Sequence, residues 1–127
     1  MASVNSKINT ALTGLVSGNI WPLSKPVEED PDAYIVYNPE IESSADFGDD
    51  EEHEWMDYIQ VHYFAKGRVN YLKMKNKIRN ALKTAGFTVS EVVPMYDSDL
   101  STSKNGTGFT HVCFYCNIPE DDPYGES

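Results

Sequence analysis

The sequence predicts an α+β fold, an antiparallel or mixed four- to five-stranded sheet packed with two amphipathic helices, with a long acidic arm between strands. Three observations carry this. Apolar residues recur at helical spacing in two stretches, near the N-terminus and over 70–85. Between and after them lie runs of β-branched and aromatic residues bounded by Pro, Gly and Asn, which suit pleated, half-buried strands. At 127 residues the chain suits one domain, 1–127, which buries roughly two-thirds of its unfolded surface and needs no metal or disulfide to fold.

Taken in order, Ser3 or Ser6 can cap the first helix, whose apolar face is Val4, Ile8, Ala11, Leu12, Leu15 and Val16; Gly18 ends it. Residues 19–31 contain Pro22, Pro26 and Pro31, so they are expected to be extended or looped, with Ile20 and Trp21 anchoring them on the core. Ala33-Tyr34-Ile35-Val36-Tyr37 reads as a short strand closed by the turn signal Asn38-Pro39. From Glu40 to Asp57 the chain is polar and acidic, and self-repulsion favours either a long hairpin arm or a flexible loop.

Tyr58 to Ala65 reads as the central strand, and Lys66-Gly67-Arg68 as a turn. Asn70 to Ala85 then reads as the second helix, buried through Tyr71, Met74, Ile78, Ala81, Leu82 and Ala85 and stopped at Gly86. Phe87 to Tyr96 is another strand, in which Pro94 implies an edge or a bulge. Residues 97–108 form a polar turn region around Asn105-Gly106, Phe109 to Ile118 is the last strand, and 119–127 is a loose acidic tail.

Charge is segregated. The formal net charge is −10, which makes the whole molecule a poor nonspecific binder of nucleic acid. Residues 28–57 hold thirteen acids and no Lys or Arg, whereas residues 66–83 hold seven of the ten basic residues and no acid. Two such regions are either solvated surfaces or complementary halves of a head-to-tail contact between copies. With Met74 at the centre of the buried stripe, Lys75 and Arg79 flank one side of the second helix and Lys73 and Lys77 the other. Lys83 and the apolar Leu72 then point outward. The candidate subunit or partner interface is accordingly Leu72, Lys73, Lys77, Arg79 and Lys83, opposed by Asp49, Asp50, Glu51 and Glu52.

No arrangement predicts catalysis, a cofactor or a metal. Cys113 and Cys116 form a C-x-x-C, but in a strand residues three apart point to opposite faces, with Cα atoms about 10 Å apart, too far for a disulfide. Two reduced cysteines, at least one of them buried, fit better and suit a reducing compartment. His53, His62 and His111 lack metal-ligand spacing, although His62 and His111 lie in strands that can meet across the sheet. The acids of 46–57 lack the pattern of a calcium loop. Nucleophile-elbow and phosphate-loop motifs are absent, and Asn105-Gly106-Thr107 fits a glycosylation sequon only formally. Without a membrane-spanning or leader-like stretch, a soluble protein made in a cytoplasm is expected.

Tyr34-Ile35-Val36-Tyr37-Asn38, Tyr58 through Lys66, Tyr71-Leu72, Lys77 through Leu82 and Gly86-Phe87 together resemble the small tail-completion proteins of long-tailed bacteriophages. These are the tail terminators and tail-to-head joining proteins of siphophages and related prophages, and the likeness runs from about residue 4 to residue 118. The resemblance implies a virion structural protein that forms a hexameric ring on the head-proximal end of the tail tube. Such a ring ends tube polymerisation and joins tail to head. It implies the tail-tube protein and the head connector as partners, and DNA passing through the lumen without specific binding. The central strand and basic helix would build the subunit body and part of the ring contact, with the arm facing a neighbour, the connector or the lumen. A head-completion or neck protein, and a nucleic-acid-binding adaptor using 66–83, are the alternatives.

Overall fold

The computed structural model describes residues 3–44, 55–98 and 108–119. Along the chain run α1 (Val4–Leu12), a 3-10 turn (Thr13–Val16), β1 (Ile20–Pro22), β2 (Ala33–Ser44), β3 (Trp55–Lys66), α2 (Leu72–Thr84), β4 (Thr88–Asp97) and β5 (Phe109–Pro119). The five strands form one mixed sheet in the order β1-β2-β3-β5-β4, in which only β1 and β2 run parallel. The α+β architecture is therefore as the sequence predicts.

Ser3 is the cap of α1: its hydroxyl oxygen accepts a hydrogen bond from the Ser6 amide at 3.1 Å. The helix tightens into the 3-10 turn and exits through left-handed Ser17 and Gly18, whose φ angles are 53° and 82°. Both helices pack on one face of the sheet. Ile8 and Leu12 of α1 and Ile78 and Leu82 of α2, all fully buried, share a cluster with Ile35, Tyr37, Ile59, Val61, Phe114 and Ile118. The period-two alternation of each strand supplies that face. Tyr37 is buried to its hydroxyl, which accepts from Asn9 Nδ2 at 2.7 Å, so its polar tip is satisfied inside the core.

The opposite face carries a smaller cluster of Tyr34, Val36 and Phe109, flanked by Trp21 and Phe64. Tyr34 and Phe64 stack with centroids 4.9 Å apart, and Phe109 meets both edge-on.

Several boundaries differ from the sequence reading, and β3 starts at Trp55 instead of Tyr58. Ile20–Pro22 is not merely an anchor but a short parallel edge strand, paired with Ile35, Val36 and Tyr37. Further, Asn38-Pro39 does not close β2, which continues to Ser44 in register with Trp55. The backbone explains why Pro39 is tolerated. The Ile35 amide donates to Asn19 O and Tyr37 O accepts from the Leu23 amide, so odd residues of this stretch present their backbone groups to the β1 side. Pro39 is next in that series, and β1 stops at Pro22 opposite Tyr37, so its missing N–H costs no ladder bond. A register shift between Pro39 and Ile41 follows.

Pro94 lies in β4, an edge strand of the sheet, as its presence implies. The bulge of β4 falls earlier, at Ser90, whose hydroxyl donates to Tyr115 O at 3.1 Å. At the β4–β5 corner only glycine fits position 108, because a Cβ there would collide with the Asp97 carbonyl and the Tyr96 ring. The turn signal Asn105-Gly106 and the acidic tail after Pro119 lie outside the described residues.

Candidate interaction surface

The sheet has two chemically distinct ends. Because β2 and β3 are antiparallel, Ala33 sits opposite Ala65 at one end and Ser44 opposite Trp55 at the other. At roughly 3.3 Å per residue the two ends of β2 lie about 36 Å apart. The acidic arm predicted over 40–57 is thus partly strand: its flanks are paired hairpin legs, while Asp49, Asp50, Glu51 and Glu52 lie between them, outside the described residues.

Lys66, Arg68, Lys73 and Lys77 lie toward the other end, with Asp30 and Asp32 beside Lys66. Five residues after β3, α2 starts there and runs back along the sheet. Its first turns lack a side-chain cap from Tyr71; instead Asn70 Oδ1 accepts from the Leu72 amide at 3.1 Å. Between α2 and the ends of β2 and β3 lies a groove of about 570 Å³, bordered by Lys66, Val69, Lys73 and Lys77. Lys66 is already neutralised, with Nζ 3.1 Å from Asp30 Oδ1 and 3.6 Å from Asp32 Oδ1. Arg68 lies flat on the Tyr96 ring, 3.9 Å from its centroid. Lys73 and Lys77 are exposed, one helical turn apart on the same flank, and have no ion-pair partner among the described residues.

The remaining predicted interface residues do not join this patch. Leu72 is half exposed at the start of α2, beside Lys73. Arg79 is tied to its own helix through Asn76 Oδ1 at 2.9 Å. Lys83 is in the last turn of α2, near the start of β4, where it complements the helix dipole. The structure therefore separates three subsets that sequence spacing places around one helix.

The second notable constellation lies on the sheet face away from the helices. His62 Nδ1 and His111 Nε2 are 2.7 Å apart, as the pairing of their strands allows. The sheet also brings to them an acid and a thiol that sequence spacing does not reveal. Asp97 Oδ2 of β4 lies 2.9 Å from His111 Nδ1, and Cys113 Sγ lies 4.0 Å from His62 Nε2, which also contacts Gln60 Oε1 at 3.0 Å. The Asp97 approach is short but poorly aligned, so His111 Nδ1 makes a charge contact and no well-formed hydrogen bond. Burial pushes the His62 imidazole below its ordinary range and the His111 charge pushes it further, with Asp97 opposing. Burial likewise lowers His111, again opposed by Asp97.

One proton between the rings, carried by either according to tautomer, makes the Nδ1···Nε2 hydrogen bond, and His62 Nε2 faces Gln60 Oε1 and Cys113 Sγ. The hydrogen bond joins β3 to β5, and the close approach of Asp97 adds β4. Among the described residues no group of three or more His, Cys, Asp and Glu is disposed to hold a metal. Neither cysteine is in a disulfide, and both are buried. Cys116 belongs to the helix-side core, where burial and then the neighbouring Cys113 push its thiol up to about 12, and Cys113 faces the histidines.

Asp97 is the residue that sequence reasoning missed. Its only signal is position, since a hairpin from Tyr96 to Phe109 puts the last residue of one strand diagonally across from His111.

No helix among the described residues is long and apolar enough to cross a membrane. No protein-family model matches the chain, and no curated protein matches it significantly.

Proposed function

We propose that this chain is a virion structural protein of a long-tailed phage or prophage, without catalytic activity. Its copies assemble head to tail into a hexameric ring at the head-proximal end of the tail tube, ending tube polymerisation and joining tail to head. The observation that carries the reading is the separation, along one sheet, of the ends of the β2–β3 legs from the groove bordered by Lys73 and Lys77. The legs are joined by residues 45–54, acidic in sequence, and the two lysines at the other end have no ion-pair partner among the described residues. A subunit with complementary ends makes heterologous contacts, and such contacts generate a ring when the rotation between copies closes. The resemblance of 34–38, 58–66 and 77–82 to tail-completion proteins supports the same reading.

Electrostatics suits the proposed setting. A net charge of −10 discourages adhesion to DNA, so genome passing through the ring would slide without being held. Partners would be the tail-tube protein on one side and the head connector on the other.

Sedimentation of the purified chain, alone and with tail-tube protein, tests the assembly. We expect a closed oligomer at about 0.05 M salt that weakens at about 0.5 M, where the Debye length falls to a few ångströms. Assembly indifferent to salt would remove the electrostatic basis of the reading. Labelling that located the chain on the connector instead of the tube end would replace it by a neck role.

A further inference from the structure

We infer that the groove beside Lys73 and Lys77 is the receptor for the acidic hairpin of the neighbouring copy, and that the segment entering it is 46–52. The inference rests on the head-to-tail reading above and names its contact.

The groove's chemistry defines what it takes. Tyr63 and Ala65 of β3, both buried, contribute to its lining with the half-buried Met74 of α2. Val69 borders it and is 44% exposed, an apolar side chain left largely open to water. Lys73 and Lys77 border it with no acid to neutralise them among the described residues, and Asp32 is already engaged by Lys66. A site with an apolar floor and two free ammonium groups fits a peptide carrying an aromatic or aliphatic residue among carboxylates. Two segments of the chain set an aromatic residue among carboxylates, and Asp46-Phe47-Gly48-Asp49-Asp50-Glu51-Glu52, with five carboxylates in seven residues against four in the seven from Glu120 to Glu126, is the more strongly charged.

The contact must be made in trans. The hairpin legs end at Ser44 and Trp55, whereas the groove lies beside Ala33 and Ala65, about 36 Å away along the same strands. The ten residues that join the legs cannot double back over that distance, since a return excursion would need more than 3.6 Å per residue. A second copy placed end to end brings the two together. Duplex nucleic acid is the competing polyanion, but its bases are stacked inside the double helix and offer no anchor to the groove's lining.

Two charge-reversed full-length variants test this. K73E/K77E spoils the groove and keeps the hairpin; D49K/D50K/E51K/E52K spoils the hairpin and keeps the groove. Circular dichroism establishes that each is folded. Each alone is expected to self-associate at least about tenfold more weakly than the unaltered chain at low salt, while their equimolar mixture recovers association. In the mixture each hairpin meets a groove of opposite charge, in the native sense in one pair and in the reversed sense in the other.

Carbodiimide cross-linking of a mixture of isotope-labelled and unlabelled unaltered chain gives a readout that needs no variant. Intermolecular bonds from Lys73 or Lys77 to Asp46, Asp49, Asp50, Glu51 or Glu52 are expected. If either variant assembles as well as the unaltered chain, or the cross-links go elsewhere, the contact is overturned while ring assembly stands. If the unaltered chain stays monomeric at low salt even with tail-tube protein, both fall. Retention of duplex DNA that is lost in K73E/K77E, without those cross-links, would reassign the groove to nucleic acid and overturn the inference.

Discussion

Replacing Phe114 with alanine is expected to cost about 3–5 kcal/mol, the usual range for removing a buried aromatic side chain. Phe114 is fully buried near the middle of β5, directly opposite Val61 of β3 and Val92 of β4, in the cluster that also holds Ile78 and Leu82 of α2. Two neighbouring strands and both helices meet around it, so the site cannot collapse to fill the void without shifting the sheet. Domains have total stabilities of about 5–15 kcal/mol, so the variant keeps little margin. Urea denaturation should show a midpoint that falls sharply with an unchanged slope. A loss under about 1 kcal/mol would mean that the helices do not pack on this face as described.

The second large effect is a loss of stability on acidification through the His62–His111 pair. Both imidazoles are lowered in the folded protein, by burial first. The unfolded chain therefore binds protons in a range where the folded chain does not, and stability rises with pH there. The contribution is complete above the ordinary histidine value of about 6.5 and is lost as pH falls below it toward the lowered folded values. Each ring adds at most about 1.4 kcal/mol per pH unit. One proton can be shared along the pair, but a second sets two cationic N–H groups face to face at 2.7 Å, with Asp97 the carboxylate in contact among the described residues. Denaturation midpoints compared near pH 7.5 and near pH 5.5 should fall at the lower value. The drop should shrink in His62→Phe, which keeps a ring beside Phe64. An unchanged drop in that variant would place its origin elsewhere.

The fold was largely legible in the sequence because periodicity and burial agree over most elements. Ile8 and Leu12, then Ile78 and Leu82, sit where helical spacing puts the core, and the strands about Val61 and Phe114 follow their aromatic and β-branched runs. Reading Asn38-Pro39 as a stop failed for a definable reason. Proline ends a strand only where its N–H is needed, and whether it is needed depends on the short partner β1, which sequence does not place.

The site was less legible, because spacing along a helix does not say what the rest of the chain supplies. Lys66 and Arg68 count with the basic run in sequence, but Asp30 and Tyr96 claim them in space, leaving Lys73 and Lys77 as the groove's cations without an ion-pair partner among the described residues. Cys113, Asp97 and the two histidines are likewise assembled by strand order, across as many as 51 positions between His62 and Cys113. Weighing the acidic run against the groove needs both kinds of information: the charge runs from sequence, and the separation of the groove from the ends of the β2–β3 legs from the fold.

Electron microscopy of tails produced without this chain tests the central claim most directly. Tails of uncontrolled length that fail to join heads are the expected result, with normal length and joining restored when the chain is supplied. Tails of normal length joined to heads in its absence would contradict the account.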